Sequence, residues 1–367
     1  MKNRLLIFHP YLAPYRIDLY NSLAKLFELR VVLLGSKKEL ATLGFNIEEV
    51  NKQAQFDYSY YFEGFRIGRH LISSVYKKEI AGFRPDIVLA HELGVNTLAA
   101  ILFKPYLGYK LYITVDDSPS MARQYGKLRD GLRKYVYSHV DGVLTVNPQV
   151  NAYLEDRFGK QKIRSLYFPI IQNDELLRKK IQESEGRAQS YIRKYNLKNR
   201  RILLFVGRKE KIKAPDQLLQ VFETLNIDNT VLVMIGAGSL QQSLVDFVNA
   251  HNLQNKVYVL GTLTGEDLYA WYNLADIFVL PSRFEPFGAV VNEALVAGCY
   301  TIVSDKVGAA ALITEDNGYV IPSDNDMALG QAIKSILGSL PQTKNKNSKM
   351  PKSYKDYLNE LLKFFVQ

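Results

Sequence analysis

Ten short runs of β-branched and aliphatic residues, separated by stretches of helical length, leave this chain few ways to fold. Five lie in its first part: RLLIF at 4–8, LRVVLLG at 29–35, DIVLA at 86–90, KLYITV at 110–115 and GVLTV at 142–146. Five more follow a break: RILLFVG at 201–207, TVLVMIG at 230–236, KVYVLG at 256–261, DIFVLP at 276–281 and YTIVS at 300–304. The runs hardly alternate with polar residues, as happens when helices cover both faces of a parallel sheet. The pattern predicts an α/β fold of two Rossmann-like, doubly wound domains facing a cleft. A length of 367 residues suits two such domains, each long enough to bury its own core.

The break places the boundary after YFPIIQND, giving an N-terminal domain over 1–172 and a C-terminal domain over 173–343. A polar helical stretch from Glu175 to Tyr195 leads into the second domain. Residues 344–367 read as a basic linker followed by an amphipathic helix. On that helix Tyr354, Tyr357, Leu358, Leu361, Leu362 and Phe365 share one stripe, which needs a surface to bury against.

Hydrophobic residues make up 47% and charged residues 23%, which excludes disorder as a reading of the whole chain. The single cysteine, Cys299, has no internal disulfide partner and reads as a small packed residue, which suits a reducing compartment. The opening MKNRLLIFHP does not read as a cleavable signal, and the longest apolar run, Leu98 to Phe103, is far short of the roughly 18 residues of a spanning helix. The expected location is cytoplasmic, with peripheral binding at the inner face of the membrane as a candidate. Charge supports that candidate. Residues 1–172 hold 24 Lys/Arg against 16 Asp/Glu, whereas 173–343 hold 17 against 19. The excess on the N-terminal half points to an anionic partner such as a membrane surface, an acidic glycan or a phosphate-bearing acceptor. No nucleic acid is expected, because no aromatic-basic motif of a known binding module is present.

The chemistry concentrates where DIFVLP ends. Ser282-Arg283-Phe284-Glu285-Pro286-Phe287-Gly288 makes a turn, and a helix runs on through Val290, Val291, Glu293, Ala294 and Leu295. A strand, a glycine-containing turn and a helix N-terminus form a site for phosphate, because the first amides of the helix have no partner and its dipole adds about half a positive charge. Gly288 lets a ligand approach the backbone. Glu285 precedes the helix and Glu293 lies about two turns in, so the two carboxylates are expected at different depths along one ligand, not as a close pair.

The segment SRFEPFGAVVNEALVAGCYTIVSDKVG resembles the signature of retaining family 4 glycosyltransferases of the GT-B fold, with its E-P-F-G turn and a second Glu eight positions on. Ser304-Asp305, Gly308 and Asn317-Gly318 follow in the family's order. The resemblance implies that Glu285 contacts the donor sugar, Glu293 the ribose hydroxyls, and the backbone of Phe287, Gly288 and Ala289 the sugar and phosphate. VGRKEKIKAPDQLLQVF at 206–222 is similar to the family's Gly-Arg…Lys-Gly segment, so that Arg208 and Lys213, after Gly207, would clamp the diphosphate. Ala214 stands where the family usually has Gly. The strand Val257 to Gly261, with Thr262 and Leu263, matches the part near the nucleobase. Gly236-Ala237-Gly238 alone is no dinucleotide fingerprint, since Gln241 occupies the third glycine position.

The acceptor half is harder to read. Arg16, near the start of a helix, is open to two readings, a phosphate ligand or a solvated cation. His91 and Glu92 end the DIVLA strand, at the edge where open α/β sheets bind ligands, but a satisfied surface pair fits equally well. In ITVDDSP, Asp116 stands where many relatives have His, and Asp116 or Asp117 is a candidate for orienting or deprotonating an acceptor hydroxyl.

The expected function is transfer of a sugar from a nucleotide-sugar donor to a glycan or lipid-linked acceptor, in cell-surface polysaccharide synthesis. The resemblance implies retention at the anomeric carbon, by front-face attack with the leaving phosphate as proton acceptor. Arg208, Lys213 and the helix N-terminus stabilise the departing diphosphate, so neither a metal nor a cofactor is expected. The competing readings are a sugar-nucleotide epimerase of similar fold and a non-enzymatic nucleotide-sugar-binding protein.

Overall fold

In a computed structural model, which describes residues 2–41, 47–67, 70–117, 126–159, 163–341 and 346–366, each of the ten apolar runs forms a strand. The first sheet contains β1 (Arg4–His9), β2 (Glu28–Leu33), β3 (Asp57–Tyr60), β6 (Ile87–His91), β7 (Lys110–Val115), β8 (Gly142–Thr145) and β9 (Ser165–Tyr167), in the order β3-β2-β1-β6-β7-β8-β9. A small antiparallel hairpin, β4 (Phe65–Ile67) and β5 (His70–Ile72), stands outside it. The second sheet contains β10 (Arg201–Val206), β11 (Thr230–Ile235), β12 (Val257–Leu260), β13 (Ile277–Leu280), β14 (Tyr300–Ser304) and β15 (Gly318–Ile321), in the order β12-β11-β10-β13-β14-β15.

Every pairing in these two sheets is parallel. In each, the chain builds outward from its first strand, then returns to that strand's other side. The reversal opens a crevice at the carboxyl ends of the two central strands, β1 with β6 and β10 with β13, which is where doubly wound sheets take ligands. Those central strands are buried along nearly their whole length. Leu5, Leu6, Ile7 and Phe8 of β1 and Ile202, Leu203, Leu204 and Phe205 of β10 are all buried, as strands covered on both faces must be.

The chain divides into two compact units, residues 1–172 with 355–367, and residues 173–354. The last helix, Tyr354–Val366, thus belongs with the first unit, and this supplies the surface its apolar stripe requires. Tyr357, Leu361, Phe364 and Phe365 are buried there. The Tyr112 hydroxyl donates to the carbonyls of Phe364 and Phe365 at 3.2 and 3.1 Å, and the Arg164 guanidinium lies 4.3 Å from the centre of the Phe364 ring. Gly142 leaves the room: a Cβ there would stand 2.6 Å from Phe364 Cζ. Within the second unit, Asn317 Nδ2 donates to the Lys349 carbonyl at 3.0 Å and Lys349 Nζ sits 3.9 Å from the Tyr300 ring centre.

The polar stretch after the boundary is two helices, Asp174–Glu183 and Glu185–Lys194, divided at the fully buried Ser184, whose hydroxyl donates to the Ile181 carbonyl at 2.7 Å. Cys299 is fully buried, its thiol directed at the carbonyls of Ala275 and Tyr272.

Candidate functional site

In the second unit, β10 ends at Val206 and the chain passes through Gly207, half-buried, and Arg208, whose side chain is exposed. A short turn of 3₁₀ helix, Lys211–Lys213, precedes the helix Pro215–Leu225. Lys213 is buried at the end of that turn, and its ammonium forms an ion pair with the Glu285 carboxylate. Two sequence-distant candidates are thereby joined across the switch point, one following β10 and the other following β13. Their side chains keep only 10% and 19% exposure, so each neutralises a charge the other could not bury alone.

Arg283 holds the two loops in that register. Its amide donates to the Ile212 carbonyl at 2.8 Å, its guanidinium donates to the Lys211 carbonyl, and its Nε reaches Asp324 at 2.7 Å. Sequence reasoning passed over Arg283, although it sits in the same turn as Glu285. On the far side, the Glu285 amide donates to the Lys306 carbonyl at 3.1 Å and its carbonyl accepts from Gly308 at 3.0 Å. Gly308 tolerates no side chain, because a Cβ would stand 2.0 Å from the Pro286 carbonyl oxygen.

Phe287 is buried and fixes the base of the turn, its carbonyl accepting from the Ala309 amide at 2.7 Å. Gly288, at φ +93, then starts the helix Ala289–Val296, and no side chain caps it. The first amides of that helix therefore remain directed at whatever binds beyond Gly288. Glu293 lies in the same helix, half-buried, beside Tyr272. Burial, and then the Glu293 carboxylate, push the Tyr272 hydroxyl well above its ordinary value, so it stays protonated and able to donate.

The remaining candidates line the same sheet edge. Leu263, half-buried, follows β12, and the Gly236 amide donates to the Gly261 carbonyl at 3.1 Å. A further residue unseen in the sequence is Lys209. It is fully buried, and its ammonium donates to the carbonyls of Gly236 at 2.6 Å and of Leu260, and to Gln241 Oε1 at 2.9 Å. Burial lowers it to about 8. Lys209 thus ties together the ends of β10, β11 and β12, while its neighbour Arg208 projects outward. No hydrogen bond or ion pair among the described residues joins Arg208 to Lys213 or Glu285.

The first unit has its own cluster at the ends of β1, β6 and β7. Arg16 is not a solvated cation: it keeps 5% exposure, and its Nη2 donates to both Asp116 oxygens at 3.2 and 3.0 Å. Burial alone would raise the Asp116 carboxyl, but the Arg16 guanidinium outweighs it and holds it below the usual range. Asp117 turns to a different arginine, accepting from Arg133 at 2.5 Å. His91 and Glu92 are half-buried, with His91 Nδ1 bonded to Thr114 Oγ1 at 2.9 Å and His91 Nε2 3.9 Å from the Glu92 carboxylate.

The cluster also contains His9, which the sequence reading did not single out. Its ring centre is 4.4 Å from that of His91, because β1 and β6 are adjacent and both end on histidine. Its Nδ1 donates to the Tyr11 carbonyl at 2.6 Å. Burial, then the charges of His91 and Arg16, hold His9 well below its ordinary value. A histidine closing each of two strands that flank a switch point was the signal available.

Residues 188–353 match the family model Glycosyl transferases group 1. The chain is 25% identical over 299 residues to the N-acetylgalactosamine-N,N'-diacetylbacillosaminyl-diphospho-undecaprenol 4-alpha-N-acetylgalactosaminyltransferase of Campylobacter jejuni, covering 76% of this chain and 74% of that one. It is 34% identical over 139 residues to a glycosyltransferase of Methanocaldococcus jannaschii, a match that spans 37% of this chain and only 36% of the relative. Among solved structures, a glycosyltransferase from Rickettsia africae superposes with a TM-score of 0.75 at 16% identity, covering 99% of this chain and 98% of that one. Anabaena HepE in complex with UDP superposes with a TM-score of 0.74 at 13% identity, covering the whole of both chains. Both likenesses establish the GT-B fold.

Proposed function

We propose that this chain, whose residues 188–353 match the glycosyl transferases group 1 model, transfers a sugar, with retention, from a nucleotide-sugar donor to a glycan or lipid-linked acceptor in cell-surface polysaccharide synthesis. The Lys213–Glu285 pair at the switch point, beside the uncapped helix at Gly288, is the observation that carries the reading. A donor diphosphate placed at that helix end meets Lys213 and the exposed Arg208, and its sugar meets Glu285. Glu293, beside the Tyr272 hydroxyl, takes the ribose, and Leu263 lies toward the base. HepE, which shares the fold, is known in complex with UDP and with UDP-glucose.

Breaking the bond between the anomeric carbon and the phosphate oxygen leaves positive charge on the ring and negative charge on the diphosphate. Arg208, Lys213 and the helix amides stabilise the latter without a metal. The departing phosphate accepts the proton of the attacking hydroxyl on the same face of the ring. Arg16, Asp116, His91 and Glu92 belong to the acceptor side. The Campylobacter jejuni relative is named for an acceptor on diphospho-undecaprenol, and the basic first unit suits an acceptor of that kind. No helix among the described residues is long and apolar enough to cross a membrane, so contact with such an acceptor would be peripheral.

The test is incubation of the full chain with UDP-, GDP- and ADP-sugars, with and without polyprenyl-diphosphate-linked saccharides, following nucleoside diphosphate release and product linkage. One donor class should be consumed and its anomeric configuration kept in the product. Inverted linkage would refute retention, and no binding or turnover of any donor would refute the transferase reading.

A further inference from the structure

The helix Val95–Leu107 runs from β6 to β7 on the outside of the first unit, and the pattern of its exposed residues is unusual for a surface helix. Leu98, Leu102, Pro105, Tyr106 and Leu107 are its exposed positions, and none is charged or strongly polar. Leu102 and Tyr106 keep 62% and 80% exposure. Leu98, Leu102 and Tyr106 recur every fourth residue and so form one ridge. A contiguous apolar ridge of this kind marks a contact surface.

What flanks the ridge identifies the contact. On one side packs the helix Val75–Phe83, whose exposed face carries Lys77 and Lys78, with Arg84 just beyond. On the other packs the helix Lys127–Tyr137, which exposes Arg129, Lys134 and Tyr135. The acids on these helices are engaged by arginines: Glu79, buried, with Arg30, and Asp130, half-buried, with Arg157. Lys104 locks the ends of the ridge helix and its basic neighbour together, donating to the His139 carbonyl at 3.1 Å and pairing with Asp141 at 2.7 Å. The surface is an apolar crest between two basic shoulders.

We infer that this face docks on an anionic lipid bilayer. Leu98, Leu102, Tyr106 and Leu107 enter the boundary between headgroups and acyl chains, while Lys77, Lys78, Arg84, Arg129 and Lys134 meet lipid phosphates. The ridge helix begins at the acceptor-side candidates, since Asn96 Nδ2 donates to the His91 carbonyl at 3.0 Å and Thr97 Oγ1 to the Glu92 carbonyl at 2.6 Å. Docking by this helix therefore brings His91 and Glu92 close to the membrane plane, where a lipid-linked acceptor presents its headgroup. The inference rests on the proposed transfer to such an acceptor, but its test needs no turnover.

The test is flotation of the full chain with phosphatidylcholine vesicles, with and without phosphatidylglycerol. UDP and GDP thermal shifts on the same samples report the second unit independently. The native chain should float with the anionic vesicles and be released by salt. Leu102→Glu/Tyr106→Glu, at two exposed positions, should weaken flotation by about tenfold or more with nucleotide shifts unchanged. Lys77→Glu/Lys134→Glu should abolish the preference for phosphatidylglycerol. Unchanged flotation of the Leu102→Glu/Tyr106→Glu chain overturns the inference, as does a native chain that floats with neither vesicle. A native dimer that Tyr106→Glu converts to monomer, without flotation, overturns it in favour of a second copy on the ridge. Flotation retained without any nucleotide shift upholds the docking face and counts against the transferase reading alone.

Discussion

Lys213 and Glu285, 72 residues apart in the chain, form a mostly buried ion pair that joins the loop after β10 to the loop after β13. The pair sits where the strand order of the second sheet reverses. Its placement follows from topology: β10 and β13 are neighbours in the sheet though not in sequence, so whatever follows each must meet. Arg283 keeps the meeting exact enough to matter by clasping the turn that carries Lys213. In the proposed reaction, an arriving diphosphate and sugar would exchange partners with a pair already oriented, which lowers the cost of ordering either side chain on binding.

Removing Lys213 takes a cation from the proposed clamp and also leaves the mostly buried Glu285 carboxylate without its ion-pair partner. Lys213→Ala should lower turnover by roughly 10²–10³-fold by withdrawing charge from the leaving group. Glu285→Gln should also impair turnover while leaving UDP or GDP binding near normal, because the carboxylate is assigned to the sugar. Arg208→Ala should resemble Lys213→Ala without its structural consequence, since Arg208 is exposed. Folded Lys213→Ala protein with near-native turnover would refute the clamp.

Ala214 occupies the left-handed region, at φ 53 and ψ 39, immediately after the Lys213 turn. A side chain costs about 1 kcal/mol there, and the cost is what glycine avoids. Ala214→Gly should therefore raise the stability of the chain by up to about 1 kcal/mol, net of the extra freedom it gives the unfolded state. Denaturant unfolding measures it. A clear loss of stability would show that the Ala214 methyl, fully buried, contributes more by packing than it costs in backbone strain.

The fold was legible because its ten principal strands are nearly all apolar, and the meeting of the loops that carry Lys213 and Glu285 follows from β10 and β13 being neighbours in the sheet. What escaped the sequence lies at edges and in three dimensions. β3, β9 and β15 border their sheets; β3 and β9 carry polar residues and are half-buried or exposed, and β15 is a four-residue strand with two exposed central side chains, so none shows the long apolar run of the other strands. The role of Arg16 depends on Asp116, a hundred residues away, and no local pattern encodes that pairing. Lys209 carries no local signal, because its neighbours in space are carbonyls at the ends of strands that the sequence shows only as separate runs, together with Gln241 Oε1.

The proposed chemistry places every charge needed by the leaving group on protein atoms. Turnover should accordingly survive EDTA. The check is a nucleotide-release assay after exhaustive chelation, with Mg²⁺ and Mn²⁺ added back. Activity abolished by chelation and restored by either ion would show that Arg208, Lys213 and the helix N-terminus do not suffice.

His9 makes the stability of the first unit sensitive to mild acid. The folded chain holds its imidazole neutral, through burial first and then the neighbouring His91 and Arg16, with the Asp116 carboxylate committed to Arg16 nearby. The unfolded chain binds a proton at an ordinary value of about 6.5. Between that value and the lower folded one, the unfolded state carries the extra proton, so stability is complete above about pH 6.5 and is lost as pH falls. The slope approaches roughly 1.4 kcal/mol per pH unit for one such group. Thermal unfolding from about pH 7 to about pH 5 should therefore show a steeper fall for the native chain than for His9→Gln, which has no proton to take up. The depressed carboxyl of Asp116 contributes in the same direction only at lower pH, below the ordinary range of about 4, and does not mask the effect. Parallel curves for the two proteins would mean that His9 titrates alike in the folded and unfolded chains, and the buried neutral imidazole would have to be abandoned.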